Sequence, residues 1–434
     1  MTSVSPAGLP ARRAAYDILR AVDAGVPFDQ ALDRSIGALE DADRRLAHEL
    51  AAGVLRRRTD LDARLQPLVH RGWSSVAPEL RDVLRLGAYQ LTALDRVPLH
   101  AAVSTTVELA RATGGERAAR FTNAVLRGVG GRAAPPAAEL DPAAHLASSC
   151  SHPEWLVRRW LARFGAEETR ALLEWNNRRP SLVLQPARLP LETLQRLLWS
   201  GGVGVSRAPH EAGLIVEPCR PADLPGFIEG AFIVQDAAQA LVARFADCPP
   251  GALVYDACAA PGGKTIALGR VAGRVLAGEL RLSRARRLVE NLRRAGSGRE
   301  RVVVASALAP PCRAADLVLL DAPCLGTGTL ARHPEARWRV GPDALARLAG
   351  EQARLLDAVA PVVRPGGWLV YATCSLEPEE NEAQVNGFLA RHTHFRRDPA
   401  AMPEGLLSPA GDLVLLPQRT GTDGAFAARL RRVS

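Results

Sequence analysis

The sequence predicts an α/β fold built on a mostly parallel sheet, preceded by an all-α domain and a small module of mixed α/β type. Three observations carry this. From Ala231 onward, short apolar runs alternate with helical patterns, as strands joined by crossover helices do. Before about residue 128, apolar residues recur at spacings of three and four with almost no strand signal. Between Leu253 and Thr265, the stretch LVYDACAAPGGKT reads as a strand ending in an acid, a tight loop of small residues, and the opening of a helix. That unit cradles a nucleotide-like ligand at the carboxyl end of a parallel sheet.

In chain order, the spacing predicts helices over Ala15–Val22, Arg44–Arg58, Glu79–Leu94, Ala101–Ala112 and Arg117–Arg127. Arginines punctuate them, notably Arg56-Arg57-Arg58, Arg81 and Arg85. They read as a basic face that either contacts RNA phosphates or is simply solvated. Gly128–Pro142 is rich in Gly, Pro and Ala without periodicity and reads as a linker. The mixed module follows, with Ser151–Trp155 and then a helix carrying Trp160, a strand over Ser181–Leu184, a helix over Leu191–Leu198 and strand-like pieces up to Leu214–Val216. Both tryptophans read as core. Strands are then expected at Leu253–Tyr255, Val275–Gly278, Arg301–Ala305, Leu317–Leu320 and Trp368–Ala372. Helices are expected at Thr265–Val271, Leu282–Arg294, Asp343–Val363 and Glu379–Arg391. The resulting division is 1–130, 143–230 and 231–434.

The bulk properties narrow the function classes. A chain of 434 residues is long enough for several domains with full cores. No apolar run approaches the roughly 18 residues of a membrane span, and Met1–Arg13 lacks the apolar stretch of a secretion signal. Seven cysteines without CxxC or Cys/His spacing indicate neither a disulfide framework nor a metal site. A reducing, cytoplasmic setting is expected, with thiols free for chemistry. The net charge of +9 suggests a polyanionic partner such as nucleic acid, while 5% aromatics argue against many base-stacking platforms.

The loop excludes two familiar readings. A P-loop would need glycine at the position of Cys258, and no G-x-G-x-x-G is present. What remains is a strand-end loop for another adenosine-bearing cofactor, formed by Cys258, Ala259, Ala260, Pro261, Gly262, Gly263 and Lys264. The two glycines are expected to let the backbone approach the ligand. Lys264 is the only lysine among 55 Lys+Arg, which points to a need for a compact ammonium. Glu279 ends the next apolar run, where a ribose-binding acid sits in such folds. The competing reading is a solvated glutamate on an edge strand.

Two further strand ends carry a cysteine: Leu319-Leu320-Asp321-Ala322-Pro323-Cys324 and Val370-Tyr371-Ala372-Thr373-Cys374-Ser375. Carboxyl ends of strands in a doubly wound sheet face the ligand crevice, so both thiols and Asp321 are expected to converge near the cofactor loop.

DACAAPGGKT, LDAPCLGTG, RHPEARW and YATCSLEPEEN together resemble the motifs of the RsmB/Sun (Fmu) family of bacterial ribosomal RNA cytosine-5 methyltransferases. Asp43-Arg44, Leu86-Gly87-Ala88-Tyr89-Gln90 and Phe121–Arg127 resemble that family's NusB-like RNA-binding domain, and Ser151–Trp155 and Phe232–Asp236 also fit. The resemblance implies a Rossmann-like S-adenosylmethionine methyltransferase domain. In it Cys258 to Lys264 bind the cofactor, Glu279 holds its ribose, and Asp321 lies beside both cofactor and cytosine. It implies that Cys374 is the nucleophile and that Cys324 assists product release. One position departs: the family usually has an adenine-contacting acid after the third strand, where this chain has Ser306. A hydroxyl there hydrogen-bonds without charge assistance. Asp423-Gly424-Ala425-Phe426 also stands where the family commonly has two aromatics.

The implied chemistry accounts for two thiols and an acid. Cytosine C5 is a poor nucleophile until a thiolate adds to C6, which calls for Cys374 as thiolate. Charge then develops toward N3, where Asp321 could donate if protonated, in an environment that Lys264 keeps positive. A second group, Cys324, is needed when the C5 proton leaves. The base must be unstacked to be reached, so the expected partner is single-stranded, looped or flipped RNA. Small-subunit ribosomal RNA follows from the resemblance. A tRNA cytosine-5 methyltransferase and a non-catalytic ribosome-assembly factor are the rivals, the latter disfavoured by the presence of both cysteines. No metal and no membrane partner are expected, and the chain is expected to be a monomer.

Overall fold

The computed structural model describes residues 8–129 and 141–433. The residues 130–140 of the expected linker lie outside them. The chain forms two compact units, Met1–Arg178 with Leu330–Arg339, and Arg179–Thr329 with Val340–Ser434.

The first unit is helical, as its spacing requires. Its helices are α1 (Leu9–Asp23), α2 (Phe28–Ile36), α3 (Asp41–Arg56), α4 (Arg58–Leu65), α5 (Pro78–Ala93), α6 (Leu99–Val129), α7 (Pro142–Ser149) and α8 (Glu154–Asn177). Proline opens α5 and α7 at a first-turn position, where its missing N–H costs nothing. Their apolar stripes meet in one core that includes Ile18, Leu50, Leu55, Leu61, Leu84, Leu109 and Leu126. Gly87 lets α5 and α6 cross closely, because a Cβ there would lie 2.6 Å from Leu126 Cδ1. Trp160 is buried and Trp155 half-buried.

Most of the arginines that read as a basic face are spent inside this unit. Arg85 is buried and forks onto Asp62 at 2.7 and 2.8 Å while also bonding Asp82. Arg56 is buried and donates to the Ala331 carbonyl. Arg58 pairs with Asp23, and Arg81 donates to the Val76 and Ser74 carbonyls. Arg57 of the triplet is exposed.

Residues 143–178, grouped by sequence with the module that follows, pack here against α4. The Ser151 hydroxyl accepts from the Asp60 N–H at 3.0 Å and is 3.0 Å from the Thr59 hydroxyl. The segment Leu330–Arg339 completes the unit. Arg337 is fully buried and donates to the carbonyls of Arg56, Ser151, Asn176 and Leu330 and to Asn177 Oδ1. Glu335 accepts from the Phe28 N–H, the Trp338 indole donates to the Leu55 carbonyl, and Arg339 donates to the Val22 and Val26 carbonyls.

The second unit holds two sheets. The small antiparallel one has the order β2-β3-β1-β4, with β1 (Leu182–Pro186), β2 (Val205–Arg207), β3 (Leu214–Val216) and β4 (Phe232–Val234), beside α9 (Leu191–Ser200). β4 pairs with β1, so the boundary drawn at 231 cuts this sheet and the chain leaves it only after Val234. The large sheet is built from β5 (Leu253–Asp256), β6 (Arg274–Glu279), β7 (Glu300–Val304), β8 (Ala315–Asp321), β9 (Val363–Thr373), β10 (Phe395–Arg397), β11 (Leu413–Leu415) and β12 (Ala425–Arg432). Its order is β10-β12-β9-β8-β5-β6-β7, with β11 also on β12. The connecting helices are α10 (Ala237–Phe245), α11 (Gly263–Gly269), α12 (Leu282–Ala295), α13 (Pro342–Val359) and α14 (Glu382–Arg391), with a short α15 (Pro417–Thr420).

Strands β5 to β9 run parallel, while β10, β11 and β12 add antiparallel pairings that the sequence reading did not anticipate. Both faces of the parallel part are covered. Leu317 and Leu319 pack with Val254, Val275 and Val370, while Val318 and Leu320 pack with Tyr255, Leu369 and Tyr371. That double burial is why β8 reads as a continuous apolar run. From β5 the chain builds outward through β6 and β7, then returns to place β8 on the other side of β5. This reversal is the switch point where doubly wound folds open a crevice.

Candidate active site

The loop after β5 is shaped by its own packing. The Ala257 N–H donates to the Leu319 carbonyl and the Ala259 N–H to the Gly278 carbonyl, tying the loop to β8 and β6. Gly262 caps α11 with φ 110, a conformation that favours glycine, and a Cβ there would lie 2.7 Å from Leu288 Cδ1. A Cβ on Gly263 would run into the Gln235 amide. The glycines expected to clear room for a ligand are thus demanded by protein neighbours.

Lys264, in the first turn of α11, is buried and directs its ammonium across the crevice. Its Nζ lies 2.7 Å from Asp321 Oδ2 and also donates to Gln239 Oε1. The Asp321 side chain is one-third exposed, at 33%. The single lysine and the acid of the LDAPC motif therefore form one charged pair at the ends of β5 and β8. Gln239, on α10, completes it and carried no signal in the sequence.

Asp256 is a second acid that sequence reading placed but did not assign. It is buried, and its Oδ2 accepts from the Thr265 hydroxyl at 2.6 Å. Its Oδ1 has no hydrogen-bond partner. Burial pushes its carboxyl up to about 7, and nearby Asp321 adds to the rise. A carboxylic acid tolerates such a site better than a carboxylate does.

Glu279 ends β6 with its side chain only 5% exposed, which removes the solvated edge-strand reading. Its Oε1 accepts from the Arg281 N–H at 3.0 Å, and its Oε2 stands 3.6 Å from Arg284. Ser306 follows β7, and its hydroxyl accepts from the Leu308 N–H at 3.2 Å.

The two cysteines come together. Cys324 Sγ and Cys374 Sγ are 3.2 Å apart, and the Cys374 N–H points to Cys324 Sγ at 3.3 Å. This follows from register: β8 and β9 run parallel with Asp321 opposite Ala372, and the Ala322 N–H continues the ladder to the Ala372 carbonyl. The Cys324 thiol is raised well above its ordinary range by the hydrogen bond to Cys374, then by burial and by the Cys374 and Glu380 charges. These effects favour the neutral thiol of Cys324. Cys258 lies in the loop after β5, its thiol pushed up to about 12 by burial.

The loops that carry the thiols are cross-braced. The Gly328 N–H donates to the Cys374 carbonyl at 2.9 Å, and the Leu376 N–H to the Thr327 hydroxyl at 2.8 Å. The Asn381 amide donates to the Ser375 carbonyl, and the Thr373 hydroxyl to Asn381 Oδ1. Gly328 and Gly424 meet backbone to backbone, the Gly424 N–H donating to the Gly328 carbonyl at 2.7 Å.

Among the described residues no group of three or more His, Cys, Asp or Glu could hold a metal ion. No described helix is long and apolar enough to cross a membrane.

Comparison with known proteins places this arrangement. The family model 16S rRNA methyltransferase RsmB/F matches residues 246–431, the NusB family matches 9–130, and the Methyltr_RsmF/B-like ferredoxin-like domain matches 152–221. The chain is 36% identical to the probable ribosomal RNA small subunit methyltransferase B of Synechocystis sp., over 98% of this chain and 100% of that protein. It is 35% identical to the ribosomal RNA small subunit methyltransferase B of Pseudomonas syringae pv. tomato, over 98% of this chain and 97% of that protein. Among solved structures, that of PH0851 matches at 26% identity with a TM-score of 0.84, over 98% of this chain and 99% of that one. The chain belongs to the RsmB/F family of 16S ribosomal RNA methyltransferases.

Proposed function

We propose that this protein methylates C5 of a cytosine in small-subunit ribosomal RNA, with S-adenosylmethionine as donor and through a covalent bond between Cys374 and C6. The observation that carries the reading is the pair of sulfurs 3.2 Å apart at adjacent strand ends. Methylating a nitrogen or oxygen uses a lone pair already present and needs no thiol. Methylating C5 needs one group to activate the ring and another to assist its release.

The residues fit the cofactor. Glu279 makes one 3.0 Å hydrogen bond and one looser ion pair, which leaves acceptor capacity for ribose hydroxyls. Cys258, Ala259, Ala260, Pro261, Gly262, Gly263 and Lys264, with Asp321, would hold the remainder, and Ser306 would offer a hydroxyl to the adenine. When bound, S-adenosylmethionine supplies an electrophilic methyl group.

The chain's own residues do the rest. The Cys374 thiolate adds to C6, and the displaced electron pair makes C5 nucleophilic. Lys264 and Asp321, 2.7 Å apart, hold the proton that compensates charge toward N3. After methylation, the C5–H electron pair re-forms the C5–C6 double bond and the C6–S bond breaks. Cys374 leaves as thiolate, and the proton passes to water beside Cys324. Because its surroundings favour a neutral Cys324 thiol, the water route suits it better than direct abstraction.

RNA binding is proposed to draw on the second unit as well as on residues 1–130 and 143–230, with the chemistry in 231–434 apart from β4. Arg188, Arg244 and Arg270 are exposed and line two adjoining grooves of about 500 and 470 Å³ that share Arg270. Each is anchored to a backbone carbonyl, and none has a carboxylate partner among the described residues. Tethered, uncompensated guanidinium groups suit phosphates. The protein is proposed to act in the cytoplasm as a monomer without a metal.

The test is methylation of a small-subunit rRNA transcript by the purified protein with labelled S-adenosylmethionine, followed by nucleoside analysis. Label in 5-methylcytidine is expected. Label in N4-methylcytidine or in another nucleoside, or a preference for tRNA over the rRNA transcript, overturns the reading.

A further inference from the structure

Behind the thiols, two buried side chains grip the backbone on either side of Cys324. Glu380, in the turn Pro378–Glu380, is fully buried, and both its oxygens accept from the Leu325 N–H, at 3.0 and 3.2 Å. Gln352, on α13 and also fully buried, donates from Nε2 to Glu380 Oε1 and to the Pro323 carbonyl, each at 2.9 Å. The carbonyl before Cys324 and the amide after it are therefore both held by one linked pair. Glu380 is fixed in turn, since its own carbonyl accepts from the Tyr371 hydroxyl at 2.6 Å. The Cys374 backbone is held differently: its carbonyl accepts from the Gly328 N–H and its own N–H points to Cys324 Sγ.

We propose that Gln352 and Glu380 are positioning residues for the release step, holding Cys324 where its sulfur orients the water that takes the C5 proton. The inference rests on the covalent mechanism above. Burying a carboxylate is costly, and burial raises the Glu380 carboxyl. Hydrogen bonds from the Ser375 hydroxyl, the Leu325 N–H and Gln352 offset part of that cost. The Glu380 charge also acts on Cys324, adding to the effects that keep its thiol protonated. The pair thus acts on both the place and the protonation of the Cys324 sulfur.

A merely structural role and a positioning role differ in what accumulates. In Gln352→Leu the volume is kept while the Pro323 carbonyl loses its side-chain donor and Glu380 Oε1 keeps only that of the Leu325 N–H. Full-length wild type, Gln352→Leu, Glu380→Gln and Cys324→Ala are each incubated with S-adenosylmethionine and a small-subunit rRNA transcript, then run on a denaturing gel. Gln352→Leu should show an RNase-sensitive, slow-migrating band about tenfold above wild type, with multiple-turnover rate reduced by about tenfold or more and single-turnover methyl incorporation within about threefold. Glu380→Gln, which keeps an acceptor oxygen for Leu325 and removes the charge, should show the same band more weakly and carries the test if Gln352→Leu does not fold. A band in Cys324→Ala but in neither folded clamp variant overturns this inference and leaves the covalent mechanism standing. No band in Cys324→Ala overturns both.

Discussion

Lys264 Nζ and Asp321 Oδ2 lie 2.7 Å apart, joining the start of α11 to the end of β8. The ammonium is buried and also bonded to Gln239, so neither a neutral side chain nor an arginine fork reproduces it. Lys264→Met is expected to reduce methyl transfer by about a hundredfold or more. Because Asp321 stays one-third exposed and can be hydrated, the loss of stability is about 1–2 kcal/mol. Thermal unfolding and single-turnover rates on the same preparation separate the two effects.

Asp256 gives stability a definite pH dependence. Its folded carboxyl is raised to about 7 from an ordinary carboxylate value, so between about pH 4 and 7 the folded state holds a proton that the unfolded state has lost. Stability from this group is present below its unfolded value and is lost as pH rises through about 7. Asp256→Asn cannot ionise. Its stability relative to wild type should rise by on the order of 2–4 kcal/mol between pH 4 and 8, read by urea unfolding across that range. A constant difference would show that Asp256 ionises inside the folded protein without penalty.

The thiol pair should separate by substitution. Cys374→Ala should form no adduct and give no 5-methylcytidine. Cys324→Ala should still form the Cys374–C6 bond but release it slowly, by about a hundredfold, and accumulate as a protein–RNA band. The double variant should show none. The band in Cys374→Ala instead would reverse the two roles.

The carbonyl-anchored arginines should govern salt dependence. Arg188→Ala with Arg270→Ala is expected to weaken RNA binding and to make the slope of log affinity against log salt shallower by about 1–2, as loss of one or two phosphate contacts would. S-adenosylmethionine affinity should not change. An unaltered slope places the phosphate contacts elsewhere.

Arg337 tests the helical unit. Arg337→Ala strands buried carbonyls of Arg56, Ser151 and Asn176. It should destabilise the protein by about 2–4 kcal/mol in urea unfolding. Arg337→Lys should recover little, since an ammonium cannot span these separated acceptors.

The parallel core was legible because buried strands leave continuous apolar runs; β5 to β8 lie within two residues of the expected segments, while β9 begins at Val363, five residues before the expected Trp368. The strand-end cysteines and Asp321 were legible because topology sends carboxyl ends to one crevice. β12 was not, since Ala425–Arg432 reads AFAARLRR, without a clear period of two, and takes its identity from pairing with β9. Helix α2 was missed because only Phe28 and Ala31 of it are buried, too few to print a period. Arg56 and Arg85 read as part of an exposed basic face, RNA-contacting or solvated, because a sequence records charge and not the carbonyls or carboxylates waiting for it. Gln239, Gln352 and Glu380 share this cause: their partners lie 25 or more residues away in the chain.

The helical unit is finished late. Its seat for Arg337 exists once α8 has been made, yet the guanidinium that fills it is encoded beyond β8. At about 5–20 residues per second, the nascent helices wait on the order of ten seconds with buried carbonyls still unmet. During synthesis this amino-terminal region is therefore an incompletely packed intermediate, exposed to chaperones and proteases. The usual order, in which the first domain closes before the next emerges, does not apply to it.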